Sequence, residues 1–164
     1  MAFIGIVTES KTELQIRQNL KRELEKINVK KTILMINKKS IKNLFNVKFD
    51  YLILDKNIFS NNDDLIKIII NSKRIIVNAD FEENLDAIKN LKLNVISYGM
   101  NSKATLTLSS VGDDGILLSL QRGIKNINKD LVEPQEIKII GKTFGKTLYI
   151  DMILAIFLII FDKI

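Results

Sequence analysis

Two strand ends in this chain carry side chains able to handle a phosphate and its metal. Phe3–Val7 runs into Thr8-Glu9-Ser10-Lys11-Thr12, and Tyr51–Leu54 runs into Asp55. A lysine followed by a hydroxyl residue, after a strand and at a helix start, provides two parts of a phosphate loop. The lysine neutralises phosphate charge and the hydroxyl holds Mg²⁺. A carboxylate ending a neighbouring strand commonly holds the same ion in nucleotide hydrolases. Lys11 and Thr12 are therefore candidate nucleotide-binding residues, and Asp55 is a candidate metal ligand. The third part is missing. Glycines let successive N–H groups converge on an anion, yet Val7 and Ser10 stand where they are wanted, and Glu9 adds a carboxylate. The expectation is that Ser10 caps a helix with Glu13 in an S-x-x-E box instead.

Two other stretches invite the same questions. Gly141-Lys142-Thr143-Phe144-Gly145-Lys146-Thr147 is one residue short of the usual phosphate-loop spacing, and a turn with two glycines explains it as well. Asp113 and Asp114 sit in a Gly-Asp-Asp-Gly turn without further ligands nearby in sequence.

Composition narrows the chemistry further. The 164 residues contain neither Cys nor His, which removes thiol nucleophiles, disulfides, imidazole bases and Cys/His zinc sites. Lys and Arg number 25 against 19 acidic residues, a formal charge of +6. The lysines are scattered and there is no Trp, so a solvated surface is expected and no nucleic-acid partner. The first residues lack the basic and long apolar regions of a signal peptide, and a cytoplasmic location is expected. Residues 148–161 are almost wholly apolar apart from Asp151. They fall short of the ~20 residues that a bilayer span requires, so a buried helix is expected and no membrane span.

These side chains need a scaffold, and the hydrophobic pattern supplies one. Strands are expected at 3–7, 32–36, 51–54, 74–78 and 93–97, with helices between them. The first helix runs from Ser10 to about Lys26 with Ile16, Leu20, Leu24 and Ile27 on one face. A second starts at Ser60 with Asp63, or at the adjacent Asn pair, and carries Leu65, Ile66, Ile69 and Ile70. A third starts from an Asp80/Glu83 cap, with Leu85, Ile88 and Leu91 inward. Strands 3–7, 51–54, 74–78 and 93–97 are expected to be parallel neighbours. After Gly99 the period becomes two. Residues 105–109 and 116–121 read as a hairpin, a turn through 126–130 follows, and 136–140 is a further strand. The expected fold is a single α/β domain, three-layered and mostly parallel over 1–100. Residues 101–164 add antiparallel strands and the final apolar helix.

In this order of elements the chain resembles the central, ATP-binding domain of the Mur ligase family. Residues 4–12 are similar to that family's strand and G-T-N-G-K-T loop, shortened and without its loop glycines. Residues 49–55 resemble the strand ending in a Mg²⁺-binding acid, with Asp55 at that position. Asn78-Ala79-Asp80 is similar to the N-A-D-D motif, which implies that Asn78 and Asp80 contact adenine and ribose; Phe81 replaces the second acid. Ile96-Ser97-Tyr98-Gly99 looks like the T-[YF]-G strand ending. The later hairpin, Gly141 and the helix with Ala155 look like the family's small antiparallel sheet and its closing helix.

The resemblance implies a bacterial source and a cell-wall context. It also exposes departures: no D-H metal motif, no position for a carbamylated lysine, and neither of the family's flanking domains. The expected function is accordingly a catalytically inactive Mur-ligase-like domain that works by binding or assembly, with an unknown protein partner or by self-association. No cofactor is expected. The alternative is a stand-alone nucleotide-binding protein or weak NTPase, which would use ATP and Mg²⁺ through Lys11, Thr12, Asn78, Asp80 and Asp55.

Overall fold

The computed structural model describes residues 2–140 and 147–164. They form an α/β fold with mostly parallel strand pairing, organised as two compact units, Met1–Val95 and Ile96–Ile164. The Gly141–Lys146 stretch considered above as a second loop lies outside the described residues.

The first unit contains β1 (Phe3–Val7), α1 (Ser10–Lys26), β2 (Thr32–Met35), a 3₁₀ turn (Ile41–Leu44), β3 (Tyr51–Leu54), α2 (Asp63–Ile70), β4 (Ile75–Asn78) and α3 (Glu82–Ile88). Its strands run in the order β2-β1-β3-β4, all parallel, with Ile6 opposite both Met35 and Ile53. The chain steps one way from β1 to β2 and the other way from β3 to β4. Right-handed crossovers then put α1 on one face and α2 on the opposite face. Strands covered on both faces must be apolar throughout, and Ile4, Ile6, Val7, Leu52, Ile53, Leu54, Ile76 and Val77 are all fully buried. On one face Val7, Leu52, Leu54, Ile75 and Val77 pack with Leu65, Ile68 and Ile69 of α2 and Ala87 of α3. Each of the buried Val, Leu and Ile side chains contributes about 1.5–3 kcal/mol relative to exposure.

Gly5 lies mid-strand in this layer. A Cβ there would come within 2.9 Å of the Leu52 and Phe49 side chains and 2.8 Å of Ile36. The Phe49 ring therefore packs onto bare backbone.

Three of the four strands expected as parallel neighbours are so within this unit, and the helices begin where periodicity placed them. The expected capping boxes do not form. The residue preceding α1 is Glu9, extended, without a side-chain cap bond, so Ser10 is already helical. Phe81 holds that position for α3, leaving Asp80 one residue too early. At α2 the Asn pair is used, but Asn61 Oδ1 accepts the Asp63 N–H at 2.8 Å from a position before the cap residue Asn62. One inward assignment also fails: Leu85 is 37% exposed while Asn84 and Ala87 face inward. In α2, Ile70 is 61% exposed while Ile68 is buried. Short helices of about two turns have few apolar positions, so a small rotation of the stripe exchanges some of the residues that face inward.

The second unit takes β5 (Val95–Tyr98) from Ile96 onward, then β6 (Leu106–Val111), β7 (Gly115–Leu120), β8 (Ile124–Lys125), β9 (Leu131–Val132), β10 (Gln135–Ile140) and α4 (Leu148–Ile160). Its main sheet runs β5-β6-β7-β10, with β5 and β6 parallel and the remaining pairs antiparallel; β8 and β9 pair separately. The expected hairpin is the β6–β7 pair, closed by the Gly112 N–H to Gly115 carbonyl bond of 2.9 Å. Gly99 follows β5 at φ 146°, a region that glycine enters without strain. Tyr98 before it is fully buried, its ring edge-on to Tyr149 at 6.2 Å.

The apolar helix α4 packs on β6, β8 and β10, with eight buried residues from Ile150 to Ile160. Asp151 lies in its first turn, where the helix dipole favours an anion. At 13 residues α4 spans about 20 Å. No helix among the described residues is long and apolar enough to cross a membrane.

Candidate functional site

Parallel strands deliver their carboxyl ends to one edge of the sheet. In the first unit this brings Thr8 after β1, Asp55 after β3 and Asn78 at the end of β4 together. The arrangement is the crevice in which open α/β sheets bind ligands. Here the polar groups are turned on one another.

Asp55 is 7% exposed and accepts the Thr8 hydroxyl at 2.7 Å through Oδ2. Its Oδ1 faces the Asn78 side-chain amide at 3.4 Å. Thr8 has one hydroxyl proton, and Asp55 receives it. Thr12, 2.9 Å from Thr8 Oγ1, then directs its own proton to Thr8 or to the Glu9 carbonyl at 3.0 Å. A threonine thus stands between the two residues expected to share a metal. Asn78 is fully buried; its Oδ1 accepts the Asp80 N–H at 3.1 Å, closing the turn after β4. Its amide points into the protein rather than toward a base edge.

Beneath these groups lies Asn84 of α3, fully buried, which the sequence reading did not single out. Its side-chain N–H groups donate to the carbonyls of Leu54, Asp55 and Asn78 at 3.2, 2.9 and 2.9 Å. Its Oδ1 accepts the Asn57 N–H at 2.7 Å. One side chain thereby ties the ends of β3 and β4 to α3 and to the loop after β3. Asn57 extends the lattice, donating to Asn62 Oδ1 at 2.8 Å and accepting the Phe59 N–H at 2.9 Å. The signal for Asn84 was present in the sequence as a polar residue in step with Ala87, Ile88 and Leu91 on the apolar stripe.

Lys11 is where sequence placed it, at the start of α1, with its side chain 76% exposed and its ammonium 3.5 Å from Glu9. Glu9 also meets Lys56 at 3.9 Å. Lys56 lies 4.9 Å from the centre of the Phe81 ring, a cation–π contact at the position where the resembled family has an acid. Beside these residues, at the ends of β1 and β2, is an open cavity of about 460 Å³. Thr8, Ser10, Glu9 and Glu13 line one part of it and Lys38 and Lys39 another, and Lys11 is not among its lining residues. Two carboxylates on its wall oppose a triphosphate.

Both carboxylate oxygens of Asp55 face protein donors. Among the described residues no group of three or more acidic side chains is placed to hold a metal. Asp113 and Asp114 stay in their turn, with Asp114 paired to Lys138 at 2.8 Å. That ion pair holds the Asp114 carboxyl below its ordinary range. Comparison with models of known families and with curated proteins finds no match.

Proposed function

We propose that this chain is a catalytically inactive domain resembling the Mur ligase central domain, acting through binding or assembly in the bacterial cytoplasm. The observation that supports this reading is the hydrogen-bond chain Thr12–Thr8–Asp55–Asn78. Thr12, Asp55 and Asn78, three of the residues that a nucleotide site would draw on, are each turned to a neighbour within the fold. Opening the chain to admit a metal or a base edge leaves buried polar groups unpaired, at about 1–3 kcal/mol each. Glu9 and Glu13 add like charge where phosphates would lie.

The cavity at the ends of β1 and β2, with Lys38 and Lys39 on its wall, favours the second reading, a stand-alone nucleotide-binding protein. Calorimetric titration with ATP and Mg²⁺ separates the two. The inactive domain binds weakly or not at all, and Lys11→Ala changes nothing. A micromolar dissociation constant that collapses in Lys11→Ala overturns the reading, because a working phosphate loop depends on that charge.

A further inference from the structure

We propose that the outer edge of β10 is a self-association surface that takes the β10 of a second copy of this chain. The two strands would lie antiparallel about a two-fold axis through Ile137. β10 is the last strand of its sheet, and among the described residues no strand pairs with its other edge. Such an edge presents a row of backbone donors and acceptors that will pair with an extended chain. Proline would interrupt that row, but Pro134 lies just before the strand, so Gln135–Ile140 keep all their N–H groups.

The charge pattern selects the occupant. Glu136 and Lys138 project from the same face of β10, and both are exposed. Contacts within the sheet hold both heads on that face: Ser109 donates to Glu136 at 2.8 Å, and Lys138 meets Asp114 at 2.8 Å. A lysine alone on an edge discourages pairing. With a glutamate two residues away, it favours a strand carrying the same pair in the opposite direction.

A two-fold axis perpendicular to the sheet must centre on one residue. Centred on Ile137, it sets each Glu136 opposite the other copy's Lys138. Centred on Glu136 or on Lys138, it sets like charges directly opposite, which is unfavourable. The Ile137 register also brings Ile140, 78% exposed, opposite the exposed Pro134 of the second copy. The inference gives the proposed assembly role a partner, yet none of its steps involves the closed network in the first unit. Nucleotide binding could be found without affecting it.

Sedimentation velocity on the full chain tests the proposal. The expected result is a dimer that dissociates at least tenfold more readily in Glu136→Lys or Lys138→Glu and is restored in the double charge swap E136K/K138E. Circular dichroism checks that each variant is folded. The chain has no cysteine, so introduced thiols report only their own positions. Mixing Glu136→Cys with Lys138→Cys chains under oxidation should give disulfide-linked pairs that neither variant forms alone. A monomeric native chain, a dimer indifferent to both single reversals, or no mixed disulfide overturns the proposal.

Discussion

Asp55 and Glu136 are both carboxylates that accept a hydroxyl proton, from Thr8 at 2.7 Å and from Ser109 at 2.8 Å. The bonds are nearly equal in length and differ in surroundings. The first is buried at the ends of β1 and β3; the second lies in solvent on the face of β10. A buried acceptor stripped of its donor has no water to turn to, whereas an exposed one exchanges its partner for water at little cost. Polar groups at the strand ends of the first unit are therefore committed to the fold. Those on the edge strand of the second remain available to another molecule.

The contrast is broken most severely at Asn84. Replacing it with Ala orphans the Asn57 N–H and takes donors from three buried carbonyls, with an expected loss of about 3 kcal/mol of stability. Urea unfolding measures it. A loss near that of a surface substitution would mean that the strand ends are not held by this side chain.

The contrast is sharpened by treating the two hydroxyl bonds as a matched pair. Thr8→Val keeps the shape and removes the donor to Asp55, with an expected loss of about 2 kcal/mol. Ser109→Ala removes the donor to Glu136 and should stay within about 0.5 kcal/mol. Equal losses in the same unfolding experiment would remove the distinction between the regions.

Smaller than the losses at Asn84 and Thr8 is a pH dependence at Asp50, whose environment lies between the two extremes. Partial burial works against its ionisation. The Lys73 ammonium at 2.6 Å, aided by the Phe3 N–H at 3.0 Å, outweighs that and holds its carboxyl below the ordinary range. A carboxyl lowered by folding stabilises fully above its unfolded value, near 3.9. That contribution, about 1 kcal/mol after allowing for solvent around Lys73, drains as the pH falls through the lower folded-state value. Acid unfolding of Asp50→Asn should lose this part of the native pH slope. An unchanged slope would show that the ion pair contributes nothing.

Much of the architecture was legible because burial on both faces leaves apolar runs such as Phe3–Val7 and Tyr51–Leu54 that read directly as parallel strands. The candidate site was legible only as positions. Sequence located Thr12, Asp55 and Asn78 at strand ends or a helix start, but whether an amide faces a ligand or a neighbour depends on side-chain direction. Thr8 reads in the sequence only as part of the loop, because a threonine after a strand fits many roles. Asn84 escaped because an assumed stripe through Leu85 took its place. The caps were misread for a related reason: Ser10 and Asp80 belong to types that favour the cap position, but the backbone entered the helix at Glu9 and Phe81.

Gly5 carries one more consequence. Its missing side chain and the Phe49 ring divide a fixed volume between two positions 44 residues apart in sequence, with Ile36 and Leu52 closing the remaining sides. A methyl group at position 5 would overfill that space, and a smaller residue at 49 would leave it hollow. Neither site is free to drift alone. Growth at one is tolerable only with shrinkage at the other, so the two positions can change size only together.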